Sequence, residues 1–381
     1  MATLVTPPDP AQPFALGPPR PVDPAAIERG LAQFWADAAS GRPADGDTAV
    51  VRSCALNFVV VLAADDHPAQ VTDTVAALTV RHPCRIFMLT ANPADANAIE
   101  ASVSALCHRV GPGQPHICCE QITLTASGAA VGGLPHLLLA LLVPDLPVVV
   151  WWRGRAPLET PLFDALSRTA DRVVVDSAAA ADAADDVRRL AALLAPQPAV
   201  TLADLAWNRL TRWRTVTAQF FDAPESAPYL ERLDHVTVEV YGDAAAAEAL
   251  LWLGWLASRL GWTIRSGRRE AQRCVYTFAG RAPVHVEVRP RNGSAEPHVI
   301  HAITLAASQP TPARFTLERR DAQALHASAQ APDLPSLSRV VPMGMRETAA
   351  LLCDELDVVG HDRMYEEALA VAGRMAAFLV G

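Results

Sequence analysis

The densest group of side chains able to bind a metal or exchange electrons is Cys107-His108 followed by His116-Ile117-Cys118-Cys119. Thiols and imidazoles this close together have the ligand chemistry for zinc, but closed zinc sites are built from two well-spaced pairs. Adjacent Cys118 and Cys119 on a strand project to opposite faces and cannot share one ion. Buried small hydrophobes are therefore the expected state of Cys107, Cys118 and Cys119, with a redox-responsive thiol as the second reading. No metal is expected. His298 and His301 stand three apart in a strand-like stretch and face opposite sides. The acid pairs Asp65/Asp66 and Asp185/Asp186 lie in polar stretches and read as solvated surface.

Nucleophilic and phosphate-binding patterns are missing as well. The chain has no Gly-x-Ser-x-Gly elbow and no His-Glu-x-x-His. All 32 of its basic residues are Arg, and none is Lys. Arg stays protonated at any working pH, which excludes Schiff-base chemistry, and a Walker A loop needs its Lys. The first strand-like run is followed by Ala63-Ala64-Asp65-Asp66-His67-Pro68, with no Gly and two carboxylates where a phosphate would meet a helix N-terminus. The Gly-rich loop Gly128–Gly133 has the wrong spacing and place for a dinucleotide. No cofactor is expected.

Trp and Arg in combination are what remain. Trp151-Trp152-Arg153 ends a strand-like run, where doubly wound folds place their sites. Trp207, Arg209, Trp213 and Arg214 fall on one expected helix, with Leu205, Arg209 and Trp213 on a shared stripe. Trp and Arg dominate protein interfaces because they combine large apolar area with directional donors. Trp151 and Trp207 are expected in the core. Arg85, Trp152, Arg153, Arg209, Trp213 and Arg214 are the candidate partner-binding residues.

These residues must be carried by a fold, and the pattern supplies one. Leu56–Leu62, Arg85–Leu89, Ile117–Thr125, Leu146–Trp152 and Arg172–Asp176 are nearly continuous apolar runs, as strands buried on both faces require. Helix-length stretches at 69–80, 95–107, 132–142, 160–168 and 180–194 separate or follow them. The alternation predicts a doubly wound, mostly parallel α/β sheet over 24–217, opened by a helix with Asp23 as N-cap and Pro24 at its first position. Thr201 with Asp204 reads as a capping box for a helix over 201–215. Residues 1–23 hold seven prolines and read as a flexible tail, and 218–232 as a linker. From 233 to 381 a smaller α+β domain with an antiparallel or mixed sheet is predicted. Its strands lie near 235–241, 262–266, 273–279, 283–289, 299–306 and 313–319, around a helix at 243–260 that is apolar nearly all round. Helices near 345–357 and 361–379 complete it.

The net charge of -9 argues against a nucleic-acid partner. Seven scattered Cys suit reduced thiols in a cytosol. The Pro-rich start is unlike a signal peptide, and Pro144, Asp145 and Pro147 interrupt the most apolar stretch, so a cytoplasmic protein without membrane contact is expected.

Several segments resemble the OpcA family of glucose-6-phosphate dehydrogenase assembly proteins. They are Arg81-His82-Pro83-Cys84-Arg85, Cys119-Glu120, Pro144-Asp145-Leu146-Pro147 through Trp151-Trp152, and Asp171 to Ser177 (DRVVVDS). Asp204 to Arg214 (DLAWNRLTRWR) and Tyr365-Glu366-Glu367-Ala368-Leu369 continue the series. The likeness is dense over 52–215 and thinner over 230–381. The resemblance implies a protein of the oxidative pentose phosphate pathway that binds glucose-6-phosphate dehydrogenase, favours its active oligomer and has no catalytic residues. In cyanobacterial members thioredoxin-linked control is attached to Cys residues, and no position is carried over from them here. Two other readings stand beside it: a sugar-phosphate hydrolase or isomerase whose Arg residues grip phosphate, and a metabolite-sensing module using the strand ends.

Overall fold

The structure is a computed structural model that describes residues 23–40, 50–63, 66, 68–109, 116–194, 200–293, 300–309, 311–321, 323–344 and 346–380. The expected tail at 1–22, His298 and much of the loop after the first long strand lie outside the described residues.

Asp23 caps the first helix, accepting a hydrogen bond from the Ala25 N–H at 3.0 Å, and Pro24 opens it. In chain order the first half contains α1 (Pro24–Ser40), β1 (Val50–Arg52), β2 (Leu56–Val61), α2 (Pro68–Thr79), β3 (Cys84–Asn92), β4 (Ala98–Arg109) and β5 (His116–Ser127). It continues through α3 (Leu134–Leu141), β6 (Val148–Trp152), α4 (Pro161–Thr169), β7 (Arg172–Val175), α5 (Ala183–Leu193) and β8 (Leu202–Asp204). Every residue of β2, β6 and β7 is buried, the signature of strands covered on both faces.

These strands run in the order β1-β5-β3-β2-β6-β7-β8, and the pairs β2/β3, β3/β5, β2/β6 and β6/β7 are parallel. Counting β2 as the first strand, β5-β3-β2-β6-β7-β8 is the doubly wound order, with its switch point between β2 and β6. The helix expected at 95–107 is instead the strand β4, antiparallel to β5. Ile99, Ala101, Val103, Ala105 and Cys107 alternate with Glu100, Ser102, Ser104 and Leu106, a period of two that fits a strand.

Beyond β8 come α6 (Leu205–Arg209), α7 (Thr211–Gln219), α8 (Ala227–Leu230), β9 (His235–Tyr241), α9 (Ala247–Arg259), β10 (Thr263–Glu270), β11 (Arg273–Ala279) and β12 (Pro283–Arg291). Next are β13 (Ile300–Ala307), β14 (Ala313–Asp321), β15 (Ala324–Gln330), β16 (Leu337–Pro342), α10 (Thr348–Asp357) and α11 (Arg363–Ala377). The single helix expected at 201–215 is two helices broken at Leu210. The cap is Asp204 rather than Thr201: its carboxylate accepts from the Ala206 N–H at 2.9 Å. β9 to β16 form a mixed eight-stranded sheet, β10-β11-β12-β9-β13-β14-β15-β16, in which only β9 and β12 are parallel. The expected strands are present, while β15 and β16 were not anticipated.

The chain divides into two compact units. One comprises Met1–Val175, Val200–Leu202 and Thr348–Val359; the other comprises Asp176–Ala199, Ala203–Glu347 and Gly360–Gly381. The chain therefore passes between units several times, not once through residues 218–232, where α8 lies and Tyr229 is buried. In the second unit α9 is buried all round from Ala247 to Ala257. A Cβ at Gly254 would collide with the Ala368 carbonyl of α11, and one at Gly373 would collide with the Ala191 side chain of α5. Only glycine permits so close an approach of the three helices. No helix among the described residues is long and apolar enough to cross a membrane.

Candidate functional site

In the first unit the switch-point residues meet. Arg153 directly follows β6, and Gly154 beyond it takes φ 64°, the left-handed region that suits glycine. The Arg153 Nε and Nη2 groups donate to the two oxygens of Asp66 at 2.6 and 2.7 Å. Its guanidinium lies 5.0 Å from the Trp151 ring centroid. The Ala63 N–H adds a third bond to Asp66 at 2.9 Å. Bonding to Arg153 holds the Asp66 carboxyl below the usual carboxylate range. In a doubly wound sheet this crevice is where a pyrophosphate lies against a helix N-terminus. Here a phosphate would meet the Asp66 charge, and Arg153 is already engaged.

Trp152 is buried and packs on Phe163 with ring centroids 5.3 Å apart. Arg85 also points inward. It donates to Glu120 at 2.9 Å, to Glu28 of α1 at 2.7 Å and to the Leu141 carbonyl at 2.7 Å. Burial disfavours its charge, but Glu120 and Glu28 outweigh burial and raise its pKa. Trp35 and Arg52 converge on the same Glu120. Arg85 thus ties α1 to the sheet.

The cysteines require a correction. Cys107 and Cys118, expected as reduced thiols, form a disulfide between directly opposed positions of β4 and β5. The antiparallel pairing, hidden while 95–107 read as a helix, brings them together. Cys119 points to the other face, free and buried, and burial pushes its thiol and that of Cys84 up, away from the reactive thiolate. Among the described residues no group of three or more His, Cys, Asp and Glu could hold a metal ion.

The second unit contains a group that sequence reasoning did not assemble. Arg209 donates to both oxygens of Asp176 at 2.8 and 2.6 Å. Asp204, fully buried, accepts from the Ala206 and Ser177 N–H groups at 2.9 and 3.1 Å and from the Tyr365 hydroxyl at 3.4 Å. Glu248, in the first turn of α9, is 6% exposed, and its Oε2 has no hydrogen-bond partner among the described residues. Three carboxyl groups thus share the field of one guanidinium. Burial, followed by the charge of Asp176, pushes Asp204 up to about 7, and burial pushes Glu248 up to about 8 despite Arg209. Arg209 itself suffers from burial, yet Asp176 and the other acids raise its pKa. The cluster can therefore store protons near neutral pH.

Beside it, Trp207 is buried and donates to Asp362, the N-cap of α11, at 2.9 Å. The Arg214 guanidinium lies 3.2 Å from the centroid of the Trp207 ring. Trp213 is buried at 2% exposure. Of the six candidates, then, Arg85, Trp152 and Trp213 are buried, whereas Arg153, Arg209 and Arg214 keep part of their surface. Asp186 is buried beside Arg189 rather than solvated. One signal for the acid cluster was available: Glu248 stands alone in an otherwise apolar run from Ala244 to Leu253, and such a carboxyl must find a partner or a proton.

Residues 75–192 match the family described as the glucose-6-phosphate dehydrogenase subunit N-terminal domain, and residues 200–369 match its C-terminal domain. A relative from Nostoc punctiforme, named as an OxPP cycle protein OpcA, is 36% identical over 195 residues, or 51% of this chain and 41% of the relative. The chain thus aligns with less than half the length of that relative. A Synechococcus elongatus protein of the same name is 29% identical over 366 residues, covering 92% of this chain and 80% of that protein. Among solved structures, an NAD binding oxidoreductase from Klebsiella pneumoniae has a TM-score of 0.49 at 10% identity, covering 86% of this chain and 96% of that one.

Proposed function

We infer, from the premise that this chain belongs to the OpcA family of glucose-6-phosphate dehydrogenase assembly proteins, that it binds the dehydrogenase in the cytoplasm and favours its active oligomer without catalysing a reaction itself. The observation that carries the non-catalytic part is the Asp66–Arg153 pair in the switch-point crevice. A doubly wound sheet that binds a dinucleotide keeps that crevice open with glycines, whereas this one closes it with an ion pair beside Trp151.

Activation requires only differential affinity. A chain that binds the active oligomer more tightly than the inactive form shifts the population toward it, and a difference of about 1.4 kcal/mol changes the ratio tenfold. Arg153, Arg209 and Arg214, each partly exposed, are the proposed anchors, because each is held on an aromatic ring or a carboxylate and loses little freedom on docking. Trp152, Trp213 and Arg85 are buried inside their units and serve the cores rather than a docking surface.

The experiment adds the chain to dehydrogenase from the same organism, following NADP reduction and complex size together. Higher activity with co-migration is expected, weakened at least several-fold by Arg214→Ala. Turnover of glucose 6-phosphate or 6-phosphogluconolactone by the chain alone would overturn the reading, and so would the absence of both binding and activation.

A further inference from the structure

Five strands end the two sheets, and four of them are protected against pairing. β1 and β8 hold three residues each. β10 carries Arg265, Arg268, Arg269 and Glu270, and β16 carries Arg339 and ends on Pro342. Shortness, charge and proline are the devices that keep edge strands from joining other chains. β4 is the least protected: it runs for 12 residues without Pro, and its two charges, Glu100 and Arg109, lie toward its ends and leave Ala101 to Cys107 uncharged. Among the described residues its only neighbour is β5.

The direction of its free backbone groups follows from the pairing. Cys107 and Cys118 face each other with Cα atoms 4.1 Å apart, the short spacing of a non-hydrogen-bonded antiparallel pair. The register runs unbroken from Ala98↔Ser127 to Arg109↔His116, so parity carries along the strand. Ile99, Ala101, Val103, Ala105 and Cys107 therefore turn their N–H and C=O groups away from β5. α1 lies near Val103, α2 and the turn at Gly128–Gly133 also approach the strand, and among the described residues no other strand pairs with its outer edge.

We propose that β4 is the surface through which two copies of this chain pair, antiparallel and edge to edge, about a two-fold axis at Val103. The sequence suits that occupant. Ala101-Ser102-Val103-Ser104-Ala105 reads the same in both directions, and the outward-turned residues are centred on Val103. The axis sets Ile99 against Cys107, Ala101 against Ala105, and Val103 against Val103 of the second copy. Every outward group then meets an outward group, giving about ten hydrogen bonds. Ser102 faces Ser104, and Glu100 faces Leu106, so no like charges oppose. A closed two-fold contact needs such a self-complementary surface. Each bond replaces one to water, so the net gain per bond is small and the association is reversible.

Sedimentation velocity on the full chain over roughly 1 to 100 μM should show a monomer–dimer equilibrium with a Kd in the micromolar range. Ser102→Asp with Ser104→Asp places like charges opposite at both crossings and should raise Kd about tenfold or more. Ser102→Asp with Ser104→Arg makes each crossing attractive and should restore the dimer. Val103→Pro removes an outward N–H and should abolish the dimer while keeping the melting temperature within a few degrees. A chain monomeric at every concentration sinks the proposal, whether another segment of the chain or a different protein covers the edge. A dimer indifferent to the first and third variants sinks it too.

Discussion

Two acid–guanidinium groups, one in each unit, are built from the same residue types and behave in opposite ways. Asp66 has one carboxylate to one guanidinium and three hydrogen bonds to its charged form, and its pKa falls. Asp204 and Glu248 lie deeper, compete with Asp176 for Arg209, and their pKa values rise. Stoichiometry and depth set the sign, not residue identity. The first group is a fixed ion pair that fills a crevice. The second is a proton store whose charge depends on pH.

The hardest way to break this contrast is Arg209→Ala. It strips Asp176 of its bidentate cation and should cost about 3 kcal/mol by urea denaturation at pH 7, because a partly buried pair loses one partner while Asp204 is partly and Glu248 largely protonated. A cost below about 1 kcal/mol would mean that Asp176 is already solvated and the pair no stronger than one at the surface.

Next in size is the pH response. The folded chain holds protons on Asp204 and Glu248 that the unfolded chain releases near 3.8 and 4.5. The folded state therefore binds more protons between those values and about 7 to 8, and stability must fall as pH rises through that window. Glu248→Gln imitates the protonated form. It should flatten the decline and leave the variant about 2 kcal/mol more stable than the parent at pH 9, with little difference at pH 4. An unchanged slope would assign the decline to other groups.

The smallest effect is expected in the first unit. Arg153→Ala should cost about 1 kcal/mol at pH 7, since the pair is only partly shielded from water. The lowered Asp66 pKa gives the opposite sign: this stability is present above the unfolded value of 3.8 and is lost as pH falls. Parent and variant melting curves should therefore converge in acid, and divergence there would erase the distinction between the two groups.

How much of this was legible in the sequence depended on local signal strength. LNFVVVL and VVVWW announce buried strands, because only strands covered on both faces tolerate such runs. β4 does alternate with a period of two, but Ala and Ser make the contrast between its faces faint until β5 supplies a partner. β15 was lost for the same reason, since ALHASAQ alternates Ala with polar residues of weak strand preference. The candidate Arg residues were found by type, but Arg85 could not be told from Arg153 without Glu28, which lies 57 positions away. Asp204 was read as part of a cap, and it is one; that it also faces Asp176 and Arg209 is a property of three segments brought together.

The glycine contacts that draw α5, α9 and α11 together bear on how the protein is made. The helix that locks the second unit, Arg363–Ala377, is synthesised after the α5 and α9 it joins, and the first unit likewise waits for Thr348–Val359. Neither unit can be completed before residue 348 has been made. The apolar flank of α9, buried from Ala247 to Ala257 in the finished molecule, stays uncovered until then. Translation must outlast that exposure, so a nascent chain stalled before residue 360 is a natural client for chaperones.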